Sequence, residues 1–153
     1  MCVLDSTTTA LETACGKELT MIDGVPKSRF QILLAEDDEV NQDVVRAFLD
    51  GMIDLELTVV SDGRAALEAT LAKKYDLMIF DQNMPHITGD RVLLHLRAGR
   101  SYNAATPVIR FTADADSHRA EIKRVNGIAE VTLPKPLSRA TFVSTMKAML
   151  AQI

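Results

Sequence analysis

Aromatic residues make up only 5% of this 153-residue chain, and no block of basic residues runs along it. Those two shortages exclude a stacking platform and a phosphate-tracking surface, the usual means of holding nucleic acid. No apolar stretch approaches the roughly 20 residues that cross a bilayer. The opening, "MCVLDSTTTALETACG", has neither a basic start nor a long apolar core, so it does not read as a secretory signal. Cysteine is confined to Cys2 and Cys15, both in this leader, which without a secretory signal points to free thiols in a reducing compartment. The expectation is a soluble cytoplasmic protein with no nucleic acid and no membrane as partner. What is present suffices for one domain: 47% hydrophobic residues fill a core of this size, and a net charge of −4 is modest.

Residues 1–28 read as an N-terminal extension, disordered or carrying a short helix. Thr9-x-x-Glu12 fits a capping box, Leu11, Cys15, Leu19 and Ile22 give a weak helical stripe, and "DGVP" at 23–26 reads as a turn. The pattern becomes regular in a domain over 29–153. "QILLA" (31–35), "LELTVV" (55–60), "DLMIF" (76–80), "PVIRF" (107–111) and "EVTL" (130–133) are apolar strands. Between them lie helical stripes: Val40, Val44, Val45, Phe48, Leu49 and Met52; then Ala66, Leu67 and Leu71; then Val92, Leu93 and Leu96. A fourth helix is expected around 115–125, ended by Gly127, and a last one carries Phe142, Val143, Met146, Met149 and Leu150. Five strands alternating with five helices require crossovers, hence a parallel sheet covered on both sides.

Four segments bring polar groups to one edge of that sheet, the carboxyl ends of the strands, where such folds bind ligands. "AEDDE" supplies Glu36, Asp37, Asp38 and Glu39, the third strand runs into Asp81, "RFTAD" supplies Thr112 and "LPKPL" supplies Lys135. Each alone has a bland explanation, such as a helix cap or a solvated lysine. Together they make a site. Crowded carboxylates raise one another's pKa values, and a hard dication such as Mg²⁺ removes that conflict. A carboxylate beside Mg²⁺, with a lysine and a hydroxyl, can accept a phosphoryl group.

"EDD", "DQNMP", "TA" and "KP", in this order and spacing over residues 30–152, resemble the receiver domain of two-component response regulators, of the chemotaxis-receiver kind. The resemblance implies a flavodoxin-like, doubly wound α/β fold with a five-stranded parallel sheet in the order 2-1-3-4-5. It implies Asp81 as phosphoacceptor and Thr112 and Lys135 as partners of the phosphoryl group. It implies Mg²⁺ on Asp37, Asp81 and the backbone carbonyl of Asn83, with Glu36 acting indirectly, and a cis Lys135–Pro136 peptide. The partners implied are a histidine kinase or histidine phosphotransfer protein and a downstream target, with homodimerisation on phosphorylation as a further option. Such a protein catalyses its own phosphorylation and dephosphorylation and is not a metabolic enzyme.

Two positions depart from the family pattern. Thr132 stands where an aromatic is common, and Arg110 where an apolar residue is usual. Arg110 either lays its stem in the room a ring would take, with its guanidinium reaching solvent, or sits at a partly exposed edge with no switching role, while Asn83 and Asp114 flank the path of hydrolytic water. The alternative reading is a pseudo-receiver that docks partners without phosphotransfer. A haloacid-dehalogenase phosphatase would need an Asp where Asn83 stands, and a flavodoxin would need a hydroxyl-rich loop after the first strand. No output domain is expected within these residues.

Overall fold

Alternation along each central strand sorts the apolar side chains into two cores, one on each face of a single sheet. The computed structural model describes residues 20–22, 25–27, 29–99, 101–114 and 121–151. In chain order its elements are β1 (Thr20–Ile22), β2 (Val25–Lys27), β3 (Phe30–Ala35), α1 (Glu39–Leu49), β4 (Leu55–Val60) and α2 (Gly63–Ala72). There follow β5 (Leu77–Asp81), α3 (Gly89–Ala98), β6 (Val108–Thr112), β7 (Lys123–Val125), β8 (Ile128–Pro134) and α4 (Arg139–Leu150). The main sheet runs β4-β3-β5-β6-β8-β7. All its pairs are parallel except β7 with β8.

Ile32, Leu34, Leu77, Ile79, Ile109 and Phe111 face one side, packing with Val45 and Leu49 of α1 and Phe142, Met146 and Met149 of α4. Their chain neighbours Leu33, Ala35, Met78, Phe80 and Val108 face the other, with Ala66 of α2 and Val92, Leu93 and Leu96 of α3. Burial on both faces is why β3 and β5 read as unbroken apolar runs. Each helix starts where the sequence supplies a cap: Asp38 accepts from the Val40 N–H, Asp62 from Ala65, Thr88 from Arg91 and Ser138 from Thr141. Such a cap contributes about 1 kcal/mol.

The strand order is the expected 2-1-3-4-5 with a sixth, antiparallel strand added at the edge. The helix expected over 115–125 is corrected over its described part: Lys123–Val125 is extended and pairs with β8. Val125 lies opposite Ile128, and Asn126 (φ 52°) and Gly127 (φ 82°) both have positive φ between them. That is the two-residue hairpin turn for which Asn-Gly is the preferred pair. Gly127 therefore turns a hairpin rather than ending a helix. Near the N-terminus the helical stripe through Ile22 is also corrected, because β1 pairs antiparallel with β2 and Val25–Pro26 belong to a strand. The capping box at Thr9 and Glu12 lies outside the described residues.

At the opposite end of the sheet from the polar cluster, Asn103 is fully buried. Its Nδ2 donates to the carbonyls of Thr70 (2.7 Å) and Lys73 (2.8 Å), and its Oδ1 accepts from the Tyr75 N–H (2.7 Å) and the Thr106 hydroxyl (3.1 Å). One side chain thus joins the end of α2, the start of β5 and the loop before β6. Losing it strands a buried N–H and two buried carbonyls, each costing about 1–3 kcal/mol when unpaired. We predict that Asn103→Ala lowers stability by about 3 kcal/mol in urea unfolding. A loss below about 1 kcal/mol would show that water replaces the amide.

Candidate functional site

Strand order reverses between the neighbouring strands β3 and β5: the chain leaves β3 for α1 on one face of the sheet and β5 for α3 on the other, and the polar cluster stands at their carboxyl ends. Asp81, the last residue of β5, is buried, and Glu36, directly after β3, is fully so. Asp37 beside it is exposed. One carboxylate oxygen from each of Glu36, Asp37 and Asp81 lies within 4.8 Å of the others. The remaining two acids of "EDDE" have local duties: Asp38 caps α1 and Glu39 opens its first turn.

Lys135, directly after β8, binds the cluster together. Its Nζ lies 3.1 Å from Glu36 Oε2 and 3.2 Å from Asp81 Oδ2. Its own N–H donates to the Thr112 carbonyl at 2.8 Å, and its peptide with Pro136 is cis, as the family resemblance implied. Thr112 closes β6, one register step beyond the pairing of Phe111 with Asp81. Its hydroxyl accepts from the Asp114 N–H at 3.1 Å. The Asn83 N–H returns to Asp81 Oδ1 at 3.2 Å, and the Asp38 N–H reaches Glu36 Oε1 at 3.2 Å. Glu36, Asp37, Asp81, Asn83, Thr112, Asp114 and Lys135 thus stand at or just beyond the carboxyl ends of β3, β5, β6 and β8, whereas Arg110 and Thr132 lie within β6 and β8.

The charges do not balance. Burial, then a hydrogen bond to and the charge of Asp81, push the Glu36 carboxyl up to about 7, against the opposing pull of the Asp38 N–H and Lys135. Burial on its own would lower Lys135, but its hydrogen bonds to Glu36 and Asp81 carry it above the ordinary lysine value, so it stays an ammonium. One ammonium among three carboxylates leaves an excess of hard oxygen donors and negative charge. That donor set fits Mg²⁺, which takes one or two carboxylates and keeps several waters.

Arg110 and Thr132 sit side by side in register on β6 and β8. The expected reach of the Arg110 guanidinium into solvent is corrected: it pairs with Asp90 Oδ1 at 3.2 Å and Glu130 Oε2 at 3.0 Å. Arg97 meets the same Glu130 at 3.4 Å and also donates to the carbonyls of Ala104 (2.6 Å) and Thr106 (3.1 Å). Burial, and less strongly the neighbouring Arg110, hold the Arg97 pKa down, while Glu130 opposes both. This ionic cluster occupies the face of β8 opposite the apolar side chains Ala129, Val131 and Leu133. Neither Asp90 nor Glu130 carried a site signal in the sequence, where Glu130 simply opens the strand "EVTL".

A doubly wound α/β fold with an acidic pocket, a lysine and a hydroxyl at its switch point defines a phosphate-handling class. The family model for the response regulator receiver domain matches residues 32–147. The chain belongs to that family. It is 32% identical over 115 residues to transcription factor SKN7 of Candida albicans, a match spanning 75% of this chain and 20% of that protein. It is 29% identical over 128 residues to the aerobic respiration control sensor protein ArcB of Escherichia coli, spanning 82% of this chain and 16% of the relative. A solved structure, the receiver domain of sensor histidine kinase PA1611 from Pseudomonas aeruginosa, holds a magnesium ion in its active-site cleft. It superposes with a TM-score of 0.67 and 26% identity over 80% of this chain and 98% of that one. The chain thus corresponds to one part of the longer curated proteins it resembles. Among the described residues no helix is long and apolar enough to cross a membrane.

One site residue carried no chemical signal in the sequence. Gly89, at the start of α3, packs so closely on β5 that a Cβ there would stand 2.5 Å from the Asp81 carbonyl oxygen and 3.2 Å from the Phe80 Cβ. We predict that Gly89→Ala costs about 1–3 kcal/mol of stability through overpacking. Amide shifts at Asp81 and Asn83 should accompany it. A variant as stable as the parent would mean that α3 moves away freely.

Proposed function

We propose that the chain is a phosphoacceptor receiver, taking a phosphoryl group from a phosphohistidine onto Asp81 and changing its affinity for a downstream target as a result. The observation that carries this is the Asp81 carboxylate held at a buried strand end, 3.2 Å from Lys135 Nζ and within 4.8 Å of the Glu36 and Asp37 oxygens. In the step, an Asp81 carboxylate oxygen bonds to phosphorus as the bond from phosphorus to the donor nitrogen breaks. The electron pair stays on the leaving imidazole. Lys135 is in place to pair with the arriving phosphoryl oxygens, and the Thr112 hydroxyl to donate to another. Asp37, Asp81 and the Asn83 carbonyl would hold Mg²⁺, with Glu36 behind them. The chemistry that Mg²⁺ supplies when bound is neutralisation of the charge spreading over the phosphoryl oxygens. Residues 29–153 form the receiver in this reading and residues 1–28 an extension. The donor is a histidine kinase or a histidine phosphotransfer protein.

Incubation with a small acyl-phosphate donor and Mg²⁺ should give a single phosphoryl adduct mapping to Asp81 by mass. Asp81→Asn should abolish it, Asp37→Ala should suppress it, and a bulky apolar residue at Asn83 or Asp114, flanking the water path, should slow its decay. Equal yield in excess chelator, or an adduct on another residue, would sink the assignment.

In the same reading Arg110 carries the switch. Inward movement of Thr112 pulls on β6 two residues from Arg110, on the same face of the strand. The guanidinium then loosens from Asp90 or Glu130 and alters the surface of α3 and β8. We predict that Arg110→Ala keeps the Asp81 adduct but blunts the chemical-shift changes on β6 and β8. Changes of full size in that variant would make Arg110 a bystander.

A further inference from the structure

Gln42 is a polar residue with 6% exposure in the first turns of α1, on the stripe that also buries Val45 and Leu49. Its Nε2 donates to the Glu36 carbonyl at 2.6 Å and to Ser61 Oγ at 3.2 Å. The first bond holds the backbone of the acid loop from the helix side, while the Glu36 N–H holds it from the sheet side by donating to the Val60 carbonyl at 3.0 Å. Glu36, the residue before Asp37, is thereby pinned through both its N–H and its carbonyl. The second bond ties the acid loop to the turn that opens α2.

That turn is itself locked to the loop after Asp81. Gly63 lies so close to the Ile87 backbone that a Cβ would collide with the Ile87 carbonyl, and a Cβ at Gly89 would collide with the Asp81 carbonyl. A continuous line of close packing therefore runs from Glu36 through Gln42, Ser61, Gly63 and Ile87 to Gly89 and Asp81. It joins the two acids of the pocket by a route that does not pass through Lys135.

We propose that Gln42 is a positioning residue for the acidic pocket, fixing the Glu36–Asp37 backbone at the separation from Asp81 that a divalent cation requires. The inference rests on the phosphoacceptor reading for its purpose, but its geometry stands apart from phosphotransfer. Removing the amide leaves the carboxylates in place chemically and frees the backbone that aims them. Residues that orient metal ligands without touching the metal change affinity by about 10–100-fold when lost.

The test is an Mg²⁺ titration of the ¹⁵N-labelled chain, followed at the amides of Asp37, Asp81 and Asn83. Parent, Gln42→Met and Gln42→Asn are compared. Methionine keeps the length without the donor, and asparagine keeps the donor without the reach, so it also serves if methionine prevents folding. Both should bind Mg²⁺ about tenfold more weakly, with faster hydrogen exchange at the Asp38 amide and an otherwise unchanged amide spectrum. Affinity within twofold of the parent, with unchanged exchange, would overturn the proposal. A parent chain that binds no Mg²⁺ would count against the phosphoacceptor reading, while the exchange comparison, which needs no metal, would still decide whether Gln42 pins the loop.

Discussion

Two buried carboxylates sharing one ammonium is the interaction on which the pocket depends. Glu36 and Asp81 come from neighbouring strands whose ends the sheet holds side by side, and the Lys135 ammonium, just beyond β8, bonds to both. Breaking a buried pair by removing one partner is far more costly than never having made it, because a charge is left without compensation. The pocket therefore constrains much of the fold. β3, β5 and β8 must end at the same level, the chain must turn sharply after Lys135, and the helices must begin with capped, close-packed turns. The arrangement remains short of positive charge, and that shortage is what makes it receptive to a dication and to phosphate.

The two faces of the sheet are organised differently. On the side of α1 and α4, apolar packing is continuous from β3 to β8, with Phe142 tilted against both Phe48 and Phe111. On the other side, apolar packing covers β3, β5 and the start of β6 and then gives way to ions. Arg97 and Arg110 share Glu130, and each has a buried Nε–H with no acceptor among the described residues. An unpaired buried donor is costly to keep. An apolar seam resists sliding over a continuous surface, whereas an ionic cluster can exchange partners in discrete steps. That contrast makes the face bearing Arg110 the better suited of the two to hold alternative arrangements.

The central strands and the pocket acids were legible because their signals are local. Leu77 to Phe80 is an apolar run too short for a helix, and it ends on an acid. The order of "EDD", "DQNMP", "TA" and "KP" fixed which residues meet, since parallel strands bring their carboxyl ends to one edge. What was missed has physical causes too. Val40 was read as part of the buried stripe of α1, yet it is 70% exposed and Gln42 takes the buried place. Positions 42, 45 and 49 follow helical spacing as well as the apolar set does, but a polar residue carries no hydrophobic signal until its hydrogen-bond partners are known. Gly127 was read as a helix stop because an apparent helix preceded it. The preceding Asn126 makes the pair a hairpin signal, and β7, at three residues, is short enough to escape notice. Gly89 and Gly63 hold close approaches between distant segments, which no single-chain pattern reports.

The added hairpin also changes how the sheet ends. All three residues of β7 are exposed, and two of them are Lys123 and Arg124. An outermost strand offers a row of backbone donors and acceptors to any passing strand, which invites indiscriminate stacking of sheets. Here a second copy approaching in that manner would bring cations against cations, and a three-residue strand is too short to template a long ladder. The molecule thus carries its own guard against fibrous growth at the margin where its sheet is extended.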